Sequence, residues 1–464
     1  MLNAQSPDEK AMRNLARRLL VWLTLALSFL LATRLLFGHD SRVPPTTTTI
    51  LFGDVIPITD RSHVNSQQAV RPPSYTAGMY MAGRQPRNES ACKWYHGLPD
   101  ELSYPPSRLT WSPETGEKSP YRVLPFVLRG AADATTNRLP QVTLSTHATA
   151  DQVYKIVELA KRWEGPLSLA VFAPGLDAGL AVTQLDRACR CEFAMFKVSV
   201  HLVFPVGQPP VLDTIGRTQG DCAAVDVQWR QAETERQKKS MTYPINVARN
   251  VARTAANTSR VLVSDIELLP SAQLASSFME MVHERPPKVG LVFVVPVFEI
   301  ESSESPPTTK SELLAACRAG LAVYFHRFLC PHCQRFPGLN RWMSRPDPGR
   351  VRPLIITRRE YPYHRWEPVF IGTREDPLYT EEMSWEGKQD KMAQMFEICL
   401  LNYRLVVLDG AFFVHTPGIK RKPRKINVAT QEFFRPHERR NAKIYQRVIK
   451  RLIKQYPVNR KCSQ

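Results

Sequence analysis

The amino-acid sequence predicts an α/β domain built on a mixed, mostly parallel β-sheet, preceded by a transmembrane helix and a stem. Short apolar runs rich in Val, Leu and Phe recur beyond Tyr121, as expected for strands buried on both faces of a parallel sheet. Amphipathic segments lie between them, and strands that alternate with helices favour parallel pairing. An apolar stretch near the N-terminus adds the membrane segment.

The sequence predicts three consecutive segments within residues 1–120. Residues 19–37 form an apolar run of the length that a bilayer requires, about 20 residues. Basic residues precede this run, so the positive-inside rule assigns residues 1–18 to the cytosol and the rest of the chain to a lumen. Residues 38–120 are rich in Pro and lack periodicity, which predicts an extended stem. A cleaved signal peptide is the alternative interpretation of the apolar run.

The predicted domain spans residues 121–464, and its strands are the apolar runs Gln141–His147, Leu167–Phe172, Val198–Phe204, Arg260–Ser264, Leu291–Pro296 and Leu405–Val414. The predicted helices are Asp151–Glu164, Pro244–Ala256 and Asp390–Tyr403. Their apolar residues recur at helical spacing, as Ile245, Ala248 and Ala252 do in the second. In open sheets of this kind, ligands bind beyond the carboxyl ends of the strands.

Composition narrows the class of protein. Hydrophobic residues make up 43% and charged residues 23% of the chain, which argues against a disordered chain and against a multispanning membrane protein. The formal net charge of +19 indicates an anionic partner. A luminal domain does not meet nucleic acid, so nucleotide diphosphates or acidic glycans are the favoured partners. Glycosylation sequons begin at Asn88 and Asn257, which agrees with a luminal location.

A pair of carboxylates follows one predicted strand. The strand Arg260–Ser264 runs directly into Asp265, Ile266 and Glu267. If the strand continues, its period of two places Asp265 and Glu267 on the same side. Carboxylate oxygens are the ligands that Mg²⁺ and Mn²⁺ prefer, and these ions usually share them with substrate phosphates. The alternative is that Asp265 caps a turn and that Glu267 is solvated.

Two further features have open alternatives. Cys330 and Cys333 lack the second half of a zinc site, and in a secretory lumen they are interpreted as structural, pairing with each other or with Cys317. The basic run at residues 420–425 either attracts UDP or an acidic glycan or forms a solvated loop.

Ordered segments of the chain resemble one enzyme family. They are Val142–Ala148, Arg162–Phe172, His201–Pro205, Tyr243–Arg253, Val261–Ser271, Val294–Ile300, Cys330–Gln334, Trp366–Pro368 and Phe412–Gly418. Together they resemble glycosyltransferase family 49, whose members include beta-1,4-glucuronyltransferases and the C-terminal domain of the LARGE glycosyltransferases. The resemblance extends over nearly all of the predicted domain.

The resemblance implies a type II membrane protein of the Golgi apparatus with the GT-A fold, which uses Mn²⁺ and a UDP-sugar donor. It implies an inverting beta-1,4 transfer of glucuronic acid from UDP-glucuronic acid to a xylose-type acceptor on glycoprotein O-linked glycans. A beta-1,3-N-acetylglucosaminyltransferase acting on lactosamine chains is the alternative within this class. An inactive glycan-binding or chaperone-like pseudoenzyme is the alternative outside it. A homodimer, or a complex with other glycosyltransferases, is compatible with each.

The family's metal motifs map onto three residues of this sequence. The D-x-D motif maps onto Asp265 and Glu267, and the late histidine maps onto His415. The sequence departs from the family at Glu267, whose side chain is one methylene longer and reaches the ion either directly or through water. Without the resemblance, a histidine on an apolar strand such as His415 is more often structural.

The resemblance also implies the donor contacts and the catalytic base. Arg249 and Thr146, together with Asp265, are the predicted donor-binding residues, and the alternative for Arg249 is an exposed position on its helix. Asp390 is the predicted base that takes the proton of the acceptor hydroxyl in an inverting transfer. The alternative for Asp390 is that it caps the helix that follows it.

Overall fold

The computed structural model describes residues 89–130, 139–213, 222, 233–284, 290–383, 389–422, 428–457 and 459–462. The chain divides into two compact units, Met1–Val70 and Arg71–Gln464, and every described residue lies in the second. The predicted cytosolic tail, membrane segment, most of the stem and Asn88 lie outside the described residues. Within the described ranges, no helix combines the length and the apolar character that crossing a bilayer requires.

The strands of the described ranges are β1 Lys93–Trp94, β2 Thr110–Trp111, β3 Tyr121–Arg129, β4 Val142–Thr149, β5 Leu167–Phe172, β6 Val198–Pro205, β7 Arg260–Val263, β8 Leu268–Pro270, β9 Leu291–Val295, β10 Val297–Ile300, β11 Ala322–Tyr324, β12 Arg352–Thr357, β13 Val369–Gly372, β14 Arg404–Asp409 and β15 Phe413–His415. The α-helices are α1 Ile156–Arg162, α2 Asp177–Cys191, α3 Glu235–Lys238, α4 Ile245–Thr254, α5 Leu274–Glu284, α6 Lys310–Arg318, α7 Pro331–Gln334, α8 Leu339–Ser344, α9 Met392–Leu400 and α10 Val428–Gln455. Short 3-10 helices cover Pro106–Arg108, Ala150–Lys155 and Phe193–Lys197.

The larger sheet confirms the predicted mixed α/β architecture. Within the described residues its strand order is β1-β3-β6-β5-β4-β7-β13-β9-β14-β12, with β2 paired to β3. The strands β6, β5, β4 and β7 pair in parallel, as do β9 and β14, and all of them coincide with predicted strands. The antiparallel strands β3, β12 and β13 were not predicted. Every residue of β4 and β5 is buried, which agrees with their continuous apolar character.

The predicted strand Leu405–Val414 is wrong as one element, because the chain divides it into β14 and β15 at Gly410. This glycine has φ +79°, and a Cβ placed there would lie 2.4 Å from the carbonyl oxygen of Arg350. A left-handed residue with so close a backbone neighbour requires glycine and ends the strand. The strand β15 then joins a second sheet, whose order is β11-β10-β15-β8.

Helices cover both faces of the parallel strands. On one face, α4 packs Ile245 and Ala248 against Ala170, Phe172 and Val203 of the sheet. On the other face, α1, α2 and α5 contribute to the largest apolar cluster of the described residues. The predicted helix Asp151–Glu164 is present only in part, since its first turns are the 3-10 helix Ala150–Lys155.

The polar residues of α4 are buried because they hold another part of the chain. Asn246 donates to the carbonyl oxygens of Thr380 and Asp390, at 3.0 and 2.9 Å. Asn250 donates to the carbonyl oxygen of Tyr379 at 2.8 Å. One face of α4 therefore packs on the sheet, while its polar residues fix the segment that leads to α9.

The structure places the start of the domain earlier than the boundary at residue 121. Strand β1 pairs with β3, and Cys92 forms a disulfide with Cys189 in α2. The backbone amides of Glu114 and Thr115 both donate to the carboxylate of Glu381. Residues 89–120 therefore pack against the domain instead of forming an extended stem.

The disulfides settle the alternatives for Cys330 and Cys333, which pair with each other. Cys317 is a free thiol. The disulfides are Cys92–Cys189, Cys191–Cys222, Cys330–Cys333 and Cys399–Cys462.

A buried ion pair gives a test of the fold. Lys310 lies 2.6 Å from Asp409, and the two side chains are 0% and 1% exposed. We expect Asp409→Ala to lower the free energy of unfolding by about 3–5 kcal/mol, because it leaves a buried ammonium group without its partner. Urea denaturation measures this loss. The double variant Lys310→Met with Asp409→Leu is the control and should lose less, and equal losses in both variants would contradict this account.

Candidate functional site

The site lies where the parallel strands β4 and β7 end. Asp265 follows β7, and its carboxylate faces three nitrogen atoms. His147 Nε2 and Arg249 Nη2 lie 3.2 and 3.1 Å from Oδ1, and Lys391 Nζ lies 3.3 Å from Oδ2. Burial alone would raise the pKa of Asp265, but the positive charges of Lys391 and Arg249 hold it well below its usual range. Asp265 is therefore a carboxylate with cationic partners at the edge where ligands bind in such sheets.

Arg249 connects Asp265 to Asp390. Its Nη1 donates to Asp390 Oδ2 at 2.8 Å and to Asn246 Oδ1 at 3.0 Å, while its Nη2 donates to Asp265. The residue is only 1% exposed, so the alternative of an exposed position on its helix is wrong. Asp390 does not cap α9 either, since the N-cap residue is Lys391 and makes no capping bond through its side chain.

Glu267 has a second set of cationic partners. Lys155 Nζ lies 2.5 Å from Oε1, while His415 Nε2 and Lys420 Nζ lie 3.1 and 4.0 Å from Oε2. Burial alone would raise the pKa of Glu267, but the hydrogen bond with His415 and the ion pair with Lys155 lower it to about 2. Lys155 ends the 3-10 helix that follows β4. The position of Lys420 also means that the basic run at residues 420–425 begins beside the site.

The prediction that Asp265 and Glu267 lie on one extended strand is wrong. The amide of Leu268 donates to the carbonyl oxygen of Asp265 at 3.0 Å, so these residues form a turn between β7 and β8. The two carboxylates consequently meet different partners. Asp265 contacts β4, α4 and the start of α9, whereas Glu267 contacts the end of the 3-10 helix and β15.

Thr146 lies beside this cluster in the sequence but does not join it. Its side chain is completely buried, and its hydroxyl makes no hydrogen bond with a described residue. Successive residues of a strand point to opposite faces, so the neighbouring His147 reaches Asp265 instead. Tyr243 fixes His147 from the other side, with 2.7 Å between its hydroxyl and Nδ1. Burial lowers the pKa of His147, which makes the neutral imidazole the stable form.

Glu367 is a further carboxylate that the sequence analysis did not single out. It belongs to the Trp366–Pro368 segment, and its amide donates to the carbonyl oxygen of Cys333 at 2.9 Å. Burial and the nearby negative charge of Asp390 raise the pKa of Glu367 to about 7. No local sequence signal could show this shift, because it depends on the folded position of Asp390.

The structure brings two of the three predicted metal ligands together, since His415 Nε2 lies 3.1 Å from Glu267 Oε2. Their oxygen and nitrogen donors suit a divalent ion. All four carboxylate oxygens of Asp265 and Glu267 face nitrogen atoms, one of which belongs to His415. In the described part of the chain, the only group of three or more His, Cys, Asp or Glu donors within 4.8 Å of one another is Cys330, His332 and Cys333. Two members of that group are joined in a disulfide.

Comparison with known proteins identifies the class. Residues 141–457 match the family described as glycosyl-transferase for dystroglycan, so the protein is a UDP-sugar glycosyltransferase. Because this match spans more than half of the chain, the chain belongs to that family. The predicted resemblance is therefore confirmed.

Individual relatives agree with this assignment. The chain is 29% identical over 316 residues to beta-1,4-glucuronyltransferase 1 of Danio rerio, a match that covers 64% of this chain and 72% of that protein. It is 28% identical over 289 residues to the xylosyl- and glucuronyltransferase LARGE2 of Homo sapiens, covering 60% of this chain and 33% of that protein. The crystal structure of GalNAc-T7 with UDP, GalNAc and Mn²⁺ is 9% identical, with a TM-score of 0.33, and covers 69% of this chain and 59% of that one. A TM-score this low does not establish a shared fold.

Arg249 gives a test of the site's electrostatics. We expect Arg249→Met to lower the free energy of unfolding by about 3–5 kcal/mol, because it removes the buried cation that Asp265 and Asp390 share. Chemical denaturation measures the effect. Arg327→Met, at an exposed arginine, is the matched control and should change stability by no more than about 0.5 kcal/mol. A variant of Arg249 as stable as this control would show that the bridge contributes nothing.

Proposed function

We propose that the protein transfers glucuronic acid from UDP-glucuronic acid to a xylose-type acceptor on glycoprotein O-linked glycans, as an inverting beta-1,4-glucuronyltransferase with a GT-A fold. The observation that carries this proposal is the cluster of carboxylates and cations at the carboxyl ends of β4 and β7, within a chain of this family. Relatives that are named as glucuronyltransferases support the glucuronyl donor.

The location is part of the same proposal. The apolar run at residues 19–37 would anchor the protein in the Golgi membrane with the domain in the lumen. Asn257 is exposed, which is compatible with glycosylation there. A homodimer or a complex with other glycosyltransferases remains a prediction from the resemblance.

The leaving UDP develops negative charge that the site must stabilise. Cationic groups fixed in place before the reaction supply such stabilisation without reorganising. Arg249, Lys391 and Lys155 are held in this way by Asp265 and Glu267. Binding of Mn²⁺ by Asp265, Glu267 and His415 remains a prediction of the sequence analysis.

Inverting transfer also needs a base near the acceptor. Asp390, the residue that the sequence analysis predicts, is 8% exposed, and its Oδ2 is engaged with Arg249. Glu367 lies close enough to Asp390 for their charges to interact and has a pKa of about 7. A base is most effective when its pKa is near the working pH. Glu367 is therefore our second candidate, and its pKa is the reason for choosing it.

A donor screen tests the proposed transfer. We expect the purified protein to use UDP-glucuronic acid and to leave UDP-N-acetylglucosamine unused, as measured by release of UDP. Asp265→Ala should abolish turnover, because it removes the carboxylate that positions Arg249 and Lys391. Use of UDP-N-acetylglucosamine alone would favour the alternative donor. A protein that turns over no UDP-sugar would instead be the predicted pseudoenzyme.

A pH profile tests the base. Glu367 is charged, and can accept a proton, only above its folded pKa, so we expect kcat to fall as the pH drops through about 7. Glu367→Gln should lower kcat by about 10²–10⁴-fold and remove this limb of the profile, with little change in UDP binding. Asp390→Asn is the matched variant and should keep the limb but move it to lower pH, because it removes the negative charge that helps to raise the pKa of Glu367. The reverse result, with the limb lost only in Asp390→Asn, would assign the base to Asp390.

A further inference from the structure

The Cys330–Cys333 disulfide differs from the other disulfides that the structure describes. Both of its cysteines are partly exposed. Each of the others contains a cysteine that is at most 6% exposed, namely Cys189, Cys222 or Cys399. Exposed disulfides are the ones that exchange readily with thiols.

The short loop of this disulfide points to a local role. Its cysteines are 3 residues apart in the sequence, against 97, 31 and 63 in the others. The entropy that a disulfide removes from the unfolded chain grows with the length of the loop it closes. The Cys330–Cys333 bond therefore adds the least to global stability and acts mainly on the turn that contains it.

His332 stands beside one sulfur of this disulfide. Its Nε2 lies 3.3 Å from Sγ of Cys330, and its side chain is exposed. A histidine next to a cysteine stabilises the thiolate form, and the better-stabilised thiolate leaves faster in thiol–disulfide exchange. Cys330 is therefore the leaving sulfur, and Cys333 is the sulfur that an external thiolate attacks.

The same turn holds the backbone of Glu367. The amide of Glu367 donates to the carbonyl oxygen of Cys333 at 2.9 Å, and Gln334 Nε2 donates to the carbonyl oxygen of Glu367 at 3.1 Å. Gln334 is 7% exposed, so packing fixes its side chain. Both backbone groups of Glu367 are thus bonded to the end of the disulfide loop, and a shift of Cys333 reaches Glu367 directly.

Reduction of the disulfide must shift this turn. It replaces a covalent bond by two thiols, which need van der Waals separation. Cys330 is tied on its other side, where its amide donates to the carbonyl oxygen of His326 at 2.9 Å. The widening therefore moves Cys333 and, with it, Glu367. A displacement of about 1 Å in a catalytic group lowers a rate by up to about 10²-fold.

We propose that Cys330–Cys333 is a redox site for dithiols, and that its oxidised form keeps Glu367 in the position that sugar transfer requires. The redox site stands on its own geometry. The link to Glu367 rests on the proposed function, in which Glu367 is a candidate base.

The exchange is a balanced two-electron reaction. One thiolate of the dithiol attacks Sγ of Cys333 and forms a mixed disulfide, while the electron pair of the broken bond leaves on Sγ of Cys330, which takes up a proton. The second thiolate of the dithiol then attacks the dithiol's own sulfur in the mixed disulfide and releases Cys333 as a thiolate. The dithiol ends as a disulfide, and the cysteine pair ends as two thiols.

Graded reduction of the full chain tests the redox site. The protein is treated with increasing dithiothreitol and alkylated with iodoacetamide, and peptide mass spectrometry identifies the alkylated cysteines. Cys330 and Cys333 should be alkylated at a lower dithiothreitol concentration than the cysteines of the other disulfides. His332→Gln should slow their reduction, because it removes the group that stabilises the leaving thiolate. Opening of another disulfide first would overturn the redox site.

The selectively reduced protein tests the link to Glu367. Its kcat should fall by about tenfold or more, while the Kd for UDP changes by less than about twofold, because the base moves and the donor site does not. Oxidised glutathione should restore kcat. The double variant Cys330→Ala with Cys333→Ala should show the same loss, a wild-type urea midpoint and no further response to dithiothreitol. Cys317→Ser, at the free thiol, is the matched control and should respond like the wild type.

The outcomes separate this inference from the proposed function. Unchanged kcat in protein with Cys330 and Cys333 alkylated would overturn the link to Glu367. A double variant that still loses activity in dithiothreitol would assign the effect to another disulfide and overturn the link as well. Absence of UDP-sugar turnover in both redox states would overturn the proposed function and the link together, while the alkylation pattern would still decide the redox site.

Discussion

The guanidinium group of Arg249 holds together two carboxylates that come from distant parts of the chain. Asp265 follows β7 and Asp390 precedes α9, and Arg249 donates to both from a position that is 1% exposed. Ion pairs in such an environment are screened little by solvent. Because Arg249 lies on α4, whose apolar residues pack on the parallel strands, the geometry of the site depends on the packing of this helix.

The same helix explains why the segment before α9 has a defined course. Asn246 and Asn250 bind carbonyl oxygens of this segment, and Arg253 binds the carbonyl oxygen of Pro377 at 2.6 Å. Burying such donors is unfavourable unless they are hydrogen-bonded. These contacts therefore favour one course of the segment over others. An arrangement of this kind keeps Asp390 and Lys391 in place before any ligand arrives, which is the condition for electrostatic stabilisation without reorganisation.

Parts of the site could be predicted from the sequence and parts could not. The apolar run of β7 and its adjacent carboxylates marked the edge of the sheet where the charged cluster lies, and the family segments contained Arg249, His147 and Glu367. The turn that begins at Asp265 was considered only as the alternative, because nothing in the sequence distinguishes it from two more strand residues. Thr146 was chosen in place of His147 because strand alternation does not tell which face carries the site. The division at Gly410 follows from the nearby backbone of Arg350, which is remote in the sequence.

The sequence by itself determined the parallel strands, the helix α4 and the family, because burial, periodicity and motif order are properties of neighbouring residues. Only the tertiary structure decided which charges meet. Lys155 contacts Glu267, and Lys391 contacts Asp265, across separations of 112 and 126 residues. Such pairs depend on how β4, β7 and α9 are brought to one edge of the sheet. Their distances follow from packing that no local pattern encodes.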